Sequence, residues 1–208
     1  ILYMNLVILA SLFVLIFIVS SGIRRQNKLK KQTEQEFWSR ERRSNQVRRK
    51  SLDDLDYIKI PLEDFPTHVM QEDPVVLECI DTVMSLTSQK ILNLSGYTNT
   101  DLKLEYGTAN ITQLTEYDQN YTILVRTLQK WADILLENGY AQEAAVLMEF
   151  AFSTRTDISR TYYALADYWI SQGETFQVQR LIDAAEKLPT ANHNAIVRRL
   201  KERCKDLP

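Results

Sequence analysis

RTLQKWADILLENGYAQEAAVLMEFAFSTRTDIS, residues 126–159, runs directly into RTYYALADYWISQGETFQVQRLIDAAEKLPTANH, residues 160–193. Laid over one another, the two stretches repeat. Arg126-Thr127 falls on Arg160-Thr161, Ala132-Asp133 on Ala166-Asp167, Gly139 on Gly173, Leu147 on Leu181 and Ala151 on Ala185, each pair 34 residues apart. Leu135/Trp169, Leu136/Ile170 and Met148/Ile182 keep their type. Small side chains at fixed places in a bulky apolar pattern are what closely crossing helices need, and glycine supplies the left-handed backbone of a turn.

Outward from this pair, the apolar period stays helical. Ile111, Leu114, Tyr117, Tyr121, Leu124, Val125, Leu128, Trp131 and Leu135 predict one long helix from about Asn110 to Asn138, ended by Gly139. Further helices are expected over 141–154, 159–172, 175–187 and 193–205. Upstream, Val76, Leu77, Ile80, Val83, Met84 and Leu86 predict a helix from Val75 to about Leu94, with Gly96 as its break. Thr100-Asp101 caps a short helix through Tyr106, with Gly107 past its end. No strand-period segment of useful length follows residue 62. The fold class is all-α.

A period of 34 is that of the tetratricopeptide repeat, a helix–turn–helix unit. The chain resembles that family at its small-residue positions: Ala132 and Ala166 in the first helix, Gly139 and Gly173 at the turn, and Ala144, Ala151 and Ala185 in the second helix. It departs from the family at Val178, where a second alanine would stand, and at the helix-ending proline. That proline is displaced by one to Pro189 in the second copy and replaced by Thr156 in the first. The clearest copies are 122–155 and 156–190. The resemblance implies a short α-solenoid over 75–208. Two repeats do not close a core alone, so the helices 75–94, 110–138 and 193–205 are expected to cover its ends.

The other end of the chain has a different character. Ile1 to Ile23, ILYMNLVILASLFVLIFIVSSGI, holds no charged residue, and about 20 such residues span a bilayer. Arg24, Arg25, Lys28, Lys30 and Lys31 follow at once. An apolar span with a basic flank on one side reads as an N-terminal transmembrane helix whose basic side stays in the cytoplasm. A cleaved signal peptide would need a basic segment before the apolar one. Residues 1–50 hold 11 Lys/Arg against 3 Glu, and the rest of the chain 14 against 24, so +8 and −10 lie behind the overall −2. The basic flank would meet lipid headgroups, at about 1 kcal/mol per Lys/Arg near an anionic surface. The acidic body would stand off from them.

Residues 24–50 carry no Gly or Pro and read as a juxtamembrane helix or stalk, with Phe37 and Trp38 either at headgroup level or simply solvated. A nucleic-acid role for this basic segment is not favoured, since a flank beside a bilayer already has a topological reason. Residues 51–74 hold Pro61, Pro66 and Pro74 and read as an extended linker packed on the domain surface, or as a docking motif. Cys79 and Cys204 make no disulfide framework or metal signature. Asn93, Asn110 and Asn120 match the glycosylation acceptor pattern, which would matter only for a reversed topology.

No catalytic motif is present: there is no GxSxG, HExxH, P-loop or GxGxxG, and five glycines leave little for phosphate loops. No catalytic residue, cofactor, metal site or small-molecule substrate is expected. The family resemblance implies a binding surface lined by the first helix of each unit. That places Arg126 and Asp133 in one copy and Arg160, Tyr163 and Asp167 in the next on a single face, read either as a protein-binding groove or as a solvated helix face. The Lys/Asn set with which family members grip a C-terminal carboxylate is missing. The acidic balance favours a basic protein or peptide partner. The expectation is a single-pass cell-membrane scaffold or adaptor with a cytoplasmic helical-repeat domain. The alternative is an anchored accessory of secretion or membrane-protein assembly, with the domain on the extracytoplasmic side.

Overall fold

The computed structural model describes residues 33–205. Every regular element among them is helical and no β-strand occurs. The apolar stretch 1–23 and its flank at Arg24, Arg25, Lys28, Lys30 and Lys31 lie outside the described residues. Among the described residues no helix is long and apolar enough to cross a membrane. They fall into two compact units, 33–50 with 99–109, and 51–98 with 110–205.

In the first unit, α1 (33–44) meets α3 (Asn99–Tyr106). Glu41 joins them: it pairs with Lys103 and accepts the Thr100 hydroxyl at 2.7 Å. The Lys103 and Thr100 hydrogen bonds together hold its carboxyl below the usual carboxylate range. Arg40 pairs with Asp101, and the Lys50 amide donates to the Tyr106 carbonyl at 3.1 Å. Phe37 and Trp38 stay exposed, edge to face with ring centroids 5.4 Å apart.

The second unit is built from α2 (Pro74–Leu86), α4 (Ile111–Glu137), α5 (Ala141–Ser153), α6 (Ser159–Ser171), α7 (Thr175–Ala185) and α8 (His193–Lys205). From α4 onward each helix packs on the next, α2 packs on α4, and α6 also meets α8. The repeated alanines explain how the crossings close. Ala132, Ala144, Ala151, Ala166 and Ala185 are all essentially sealed from solvent, as is Val178. Around them Trp131, Leu135, Leu147, Leu165 and Leu181 fill the interior. Gly139 and Gly173 take φ of 85° and 76°, ending α4 and α6 in the left-handed conformation that lets the chain turn into α5 and α7.

Two stretches differ from the expectation. α2 stops at Leu86, not near Leu94. Asp73 starts it by accepting from the amides of Val75 and Val76, with Pro74 in the first turn. It ends where Ser85, Thr87 and Ser88 turn their hydroxyls back onto the carbonyls of Thr82, Met84 and Ser85, in competition with helix propagation. Ile91, Leu92 and Leu94 are buried from an extended strip instead, tied by Ile58 N–H to the Ile91 carbonyl and Leu92 N–H to the Tyr117 carbonyl. The proline-containing segment does more than lie on a surface. Phe65, 3 % exposed, enters the core with its ring edge-on to Trp131 at 6.2 Å and Phe150 at 5.2 Å.

Candidate functional site

Four of the five residues predicted for a binding face come together, and one does not. Arg160, Tyr163 and Asp167 of α6 line a cleft of about 580 Å3 that also takes in Leu136 at the end of α4 and Arg199 and Arg203 of α8. Asp133 adjoins it through an ion pair with Arg160. Arg126, two turns before Asp133 on α4, is exposed and does not line the cleft.

The carboxylates are already engaged. Asp133 accepts from Arg160 Nε at 2.6 Å and from Gln129 Nε2 at 2.8 Å. Gln129 in turn accepts the buried Thr161 hydroxyl at 2.6 Å, so a polar chain links α4 to the first turn of α6. Gln129 and Thr161 are both buried, and leaving either unpaired there would cost about 1–3 kcal/mol. One step along the stack, Asp167 accepts from Arg203 Nε at 2.7 Å and Nη2 at 3.2 Å. This two-pronged pairing suits a planar guanidinium. Hydrogen bonding to Asp133 raises the pKa of Arg160, and hydrogen bonding to Asp167 raises that of Arg203, each above the ordinary arginine value.

Tyr163, half-buried, is the centre of the α6–α8 side. The guanidinium carbons of Arg199 and Arg203 each lie 4.9 Å from its ring centroid. Such contacts contribute about 0.5–1 kcal/mol at exposed sites. Arg203 is thus committed twice, to Asp167 and to Tyr163. Arg199 has the ring contact and no carboxylate partner among the described residues. Neither arginine belonged to the predicted face: both lie in 193–205, the helix expected to cover an end of the stack. Their spacing of four residues, which puts both on one side of α8, is the signal that would have found them.

A larger cleft, about 1180 Å3, lies beside Tyr97, Phe152, Phe176 and Lys187. Its charges cancel: Arg155 and Lys187 stand against Asp56 and Asp183, and Arg180 is held by Glu149 at 2.5 and 2.7 Å. With no charge preference it gives no chemical direction, so the smaller, arginine-lined cleft carries the functional argument. Among the described residues no three His, Cys, Asp or Glu side chains converge in a metal-ligating group. No family model, no curated protein and no solved structure matches this chain.

Proposed function

We propose that this protein is a single-pass, membrane-anchored scaffold or adaptor that binds a protein or peptide segment through a tetratricopeptide-like helical stack held in the cytoplasm. The observation that carries the reading is the cleft of α4, α6 and α8. There the repeated residues Asp133, Arg160 and Asp167 meet the Tyr163 ring and the Arg199 guanidinium, which pairs with no carboxylate among the described residues. Aromatic and arginine side chains are the anchors on which protein interfaces concentrate their binding energy. The anchor is the apolar stretch 1–23, and Arg24, Arg25, Lys28, Lys30 and Lys31 supply both the direction and the contact with lipid headgroups.

The three acceptor asparagines give no support to an extracytoplasmic placement. Asn93 donates to the carbonyls of Thr154 and Arg155 at 2.8 and 3.3 Å, Asn120 donates to the Lys90 carbonyl at 3.0 Å, and Asn110 is buried. Their side chains are occupied in holding the fold. A reporter that works only outside the cytoplasm, fused after Pro208, is expected to be inactive; an active one moves the domain to the other side and promotes the secretion-accessory reading. Partner capture by the full chain in detergent tests the surface itself. Tyr163→Ala combined with Arg199→Gln should abolish capture while the protein still melts cooperatively, and unchanged capture would remove the cleft from the interaction.

A further inference from the structure

We propose that the segment received by the α4/α6/α8 cleft is acidic, gripped through internal Asp or Glu side chains, even though the body of the chain is itself acidic. This rests on the reading of the cleft as a protein-binding surface. The net charge of −10 over 51–208 predicts a basic partner, but net charge is a poor guide at contact range. At physiological ionic strength exposed charges are screened over about 8 Å, so the groups lining the cleft decide what docks there.

Those groups favour an anion. A basic ligand would need the carboxylates of Asp133 and Asp167, and both already accept from arginines of the same chain at 2.6–2.7 Å. Asp167, 59 % exposed, keeps acceptor capacity beyond these contacts, but the charge of each carboxylate is already offset by its guanidinium, so neither adds an uncompensated negative charge to attract a cation. The lining itself holds Arg160, Arg199 and Arg203 against Asp167 alone. Glu137, outside the lining, acts on Arg160 through space, after the hydrogen-bonded Asp133.

Arg199 decides the sign. Its guanidinium lies by the Tyr163 ring at 4.9 Å and pairs with no carboxylate among the described residues. A guanidinium against an aromatic face keeps its in-plane N–H donors available, and that fork matches a carboxylate. Arg160, with 61 % of its side chain exposed, offers further donors beyond the Nε given to Asp133. Leu136, Ala141 and Ala164 add apolar lining against which the ligand's side-chain stems can pack.

The test is fluorescence anisotropy on the full chain in mild detergent. The probes are a labelled Asp/Glu dodecapeptide, acetylated and amidated so that no terminal carboxylate contributes, a Lys/Arg dodecapeptide, and a single-stranded oligonucleotide of equal charge to the acidic peptide. The acidic peptide should bind, and more weakly as salt rises. Arg199→Gln should weaken it about tenfold or more, as expected for loss of a charge-assisted contact. Arg198→Gln makes the same change in net charge on the same helix outside the cleft, and should change binding less than about twofold. Arg199→Lys should fall between, keeping the charge and losing the planar fork. Equal losses for Arg198→Gln and Arg199→Gln would overturn the proposal, as would tighter binding of the oligonucleotide. A Lys/Arg peptide that binds better, and is released by Asp167→Asn, would overturn the sign while leaving the protein-binding cleft in place. If neither peptide binds, this inference falls, and the wider reading falls with it only if partner capture also ignores Tyr163→Ala/Arg199→Gln.

Discussion

The helical stack of the second unit is closed at its two ends by different chemistry. At the α4 end the closure is almost wholly apolar. α2 buries Val76, Cys79, Val83 and Leu86, and Phe65 comes in from the preceding segment to meet Trp131 and Phe150. The ion pair there, Lys130 with Glu78 at 2.8 Å, is exposed on both sides. At the α7 end, α8 buries a narrow stripe, Ile196 and Leu200, and sets beside it Arg203 on Asp167, Lys201 on Glu186, and two guanidiniums by Tyr163. Both devices keep water from the terminal hairpin. The second sets two guanidiniums beside a half-buried ring at the mouth of a cleft, and the candidate site lies at that end.

Phe65 gives the largest expected effect. Truncating a buried Phe to Ala costs about 3–5 kcal/mol when the site cannot collapse, and Phe65 is held between two other rings. Phe65→Ala should lower the denaturation midpoint accordingly, with Phe37→Ala, exposed at 55 %, as the unaffected control. A loss for Phe65→Ala below about 1 kcal/mol would mean that residues 51–73 do not close the stack, and the contrast between the ends would fail.

The second prediction asks whether the interior between the ends is as tight as the alanine register implies. Ala132 and Ala166 stand 34 residues apart and are both 0 % exposed. Ala166→Leu should overpack the α6 crossing and cost about 1–3 kcal/mol. A wild-type melting temperature for this variant would show that the crossing has room, and the repeat register would lose its physical basis.

The parts of this arrangement that were legible in the sequence are those with a period. α4 to α8 follow from apolar spacing and the two glycines, and the buried alanines from the 34-residue offset. The end of α2 was not legible, because Ile91, Leu92 and Leu94 carry the apolar run past the point where the hydroxyls of Thr87 and Ser88 compete with the helix. Nor was the burial of Phe65, a single aromatic among prolines with no period to orient it. In the site, the recurrence of Asp at 133 and 167 was visible, but not their partners. Arg160 lies 27 residues from Asp133, and Arg203 lies 36 from Asp167, in a helix that copies neither repeat. Arg126 shows the limit of the argument from recurrence: it matches Arg160 in sequence and takes no part in the cleft.

Between the two ends, Tyr162 of α6 reports on the joint of the copies. It is 1 % exposed, packs edge-on to Phe152 of α5 at 5.6 Å, and donates to the Thr156 carbonyl at 2.9 Å. Burial pushes its phenol pKa well above the ordinary 10.0, and burial raises that of Tyr121 as well. Below about pH 10 the phenol is protonated in both folded and unfolded chains, so its stabilising contribution is intact. Above that pH the unfolded chain gives up the proton first, and stability is lost as pH rises. Tyr162→Phe should cost about 0.5–1.5 kcal/mol at neutral pH through the lost hydrogen bond, and should flatten the alkaline decline. Stability curves of wild type and variant that run parallel above pH 10 would show that this ring is not sealed.

The smallest effect separates the two ion pairs of the α8 end from each other. Lys201–Glu186, at 2.8 Å, joins side chains that are 53 % and 51 % exposed, so Lys201→Gln should change stability by no more than about 0.5 kcal/mol. Arg203 is 24 % exposed, grips Asp167 with two nitrogens, and lies by Tyr163. Arg203→Gln should therefore cost about 1 kcal/mol, since it loses a ring contact and packed stem as well as charge. Salt distinguishes the two further. At 1 M the screening length falls to about 3 Å, which should erase the difference made by Lys201→Gln and leave part of that made by Arg203→Gln. If both losses are equal and both vanish in high salt, Ile196 and Leu200 alone hold α8 in place. The two ends would then be closed by the same apolar means, with the arginines left entirely to binding.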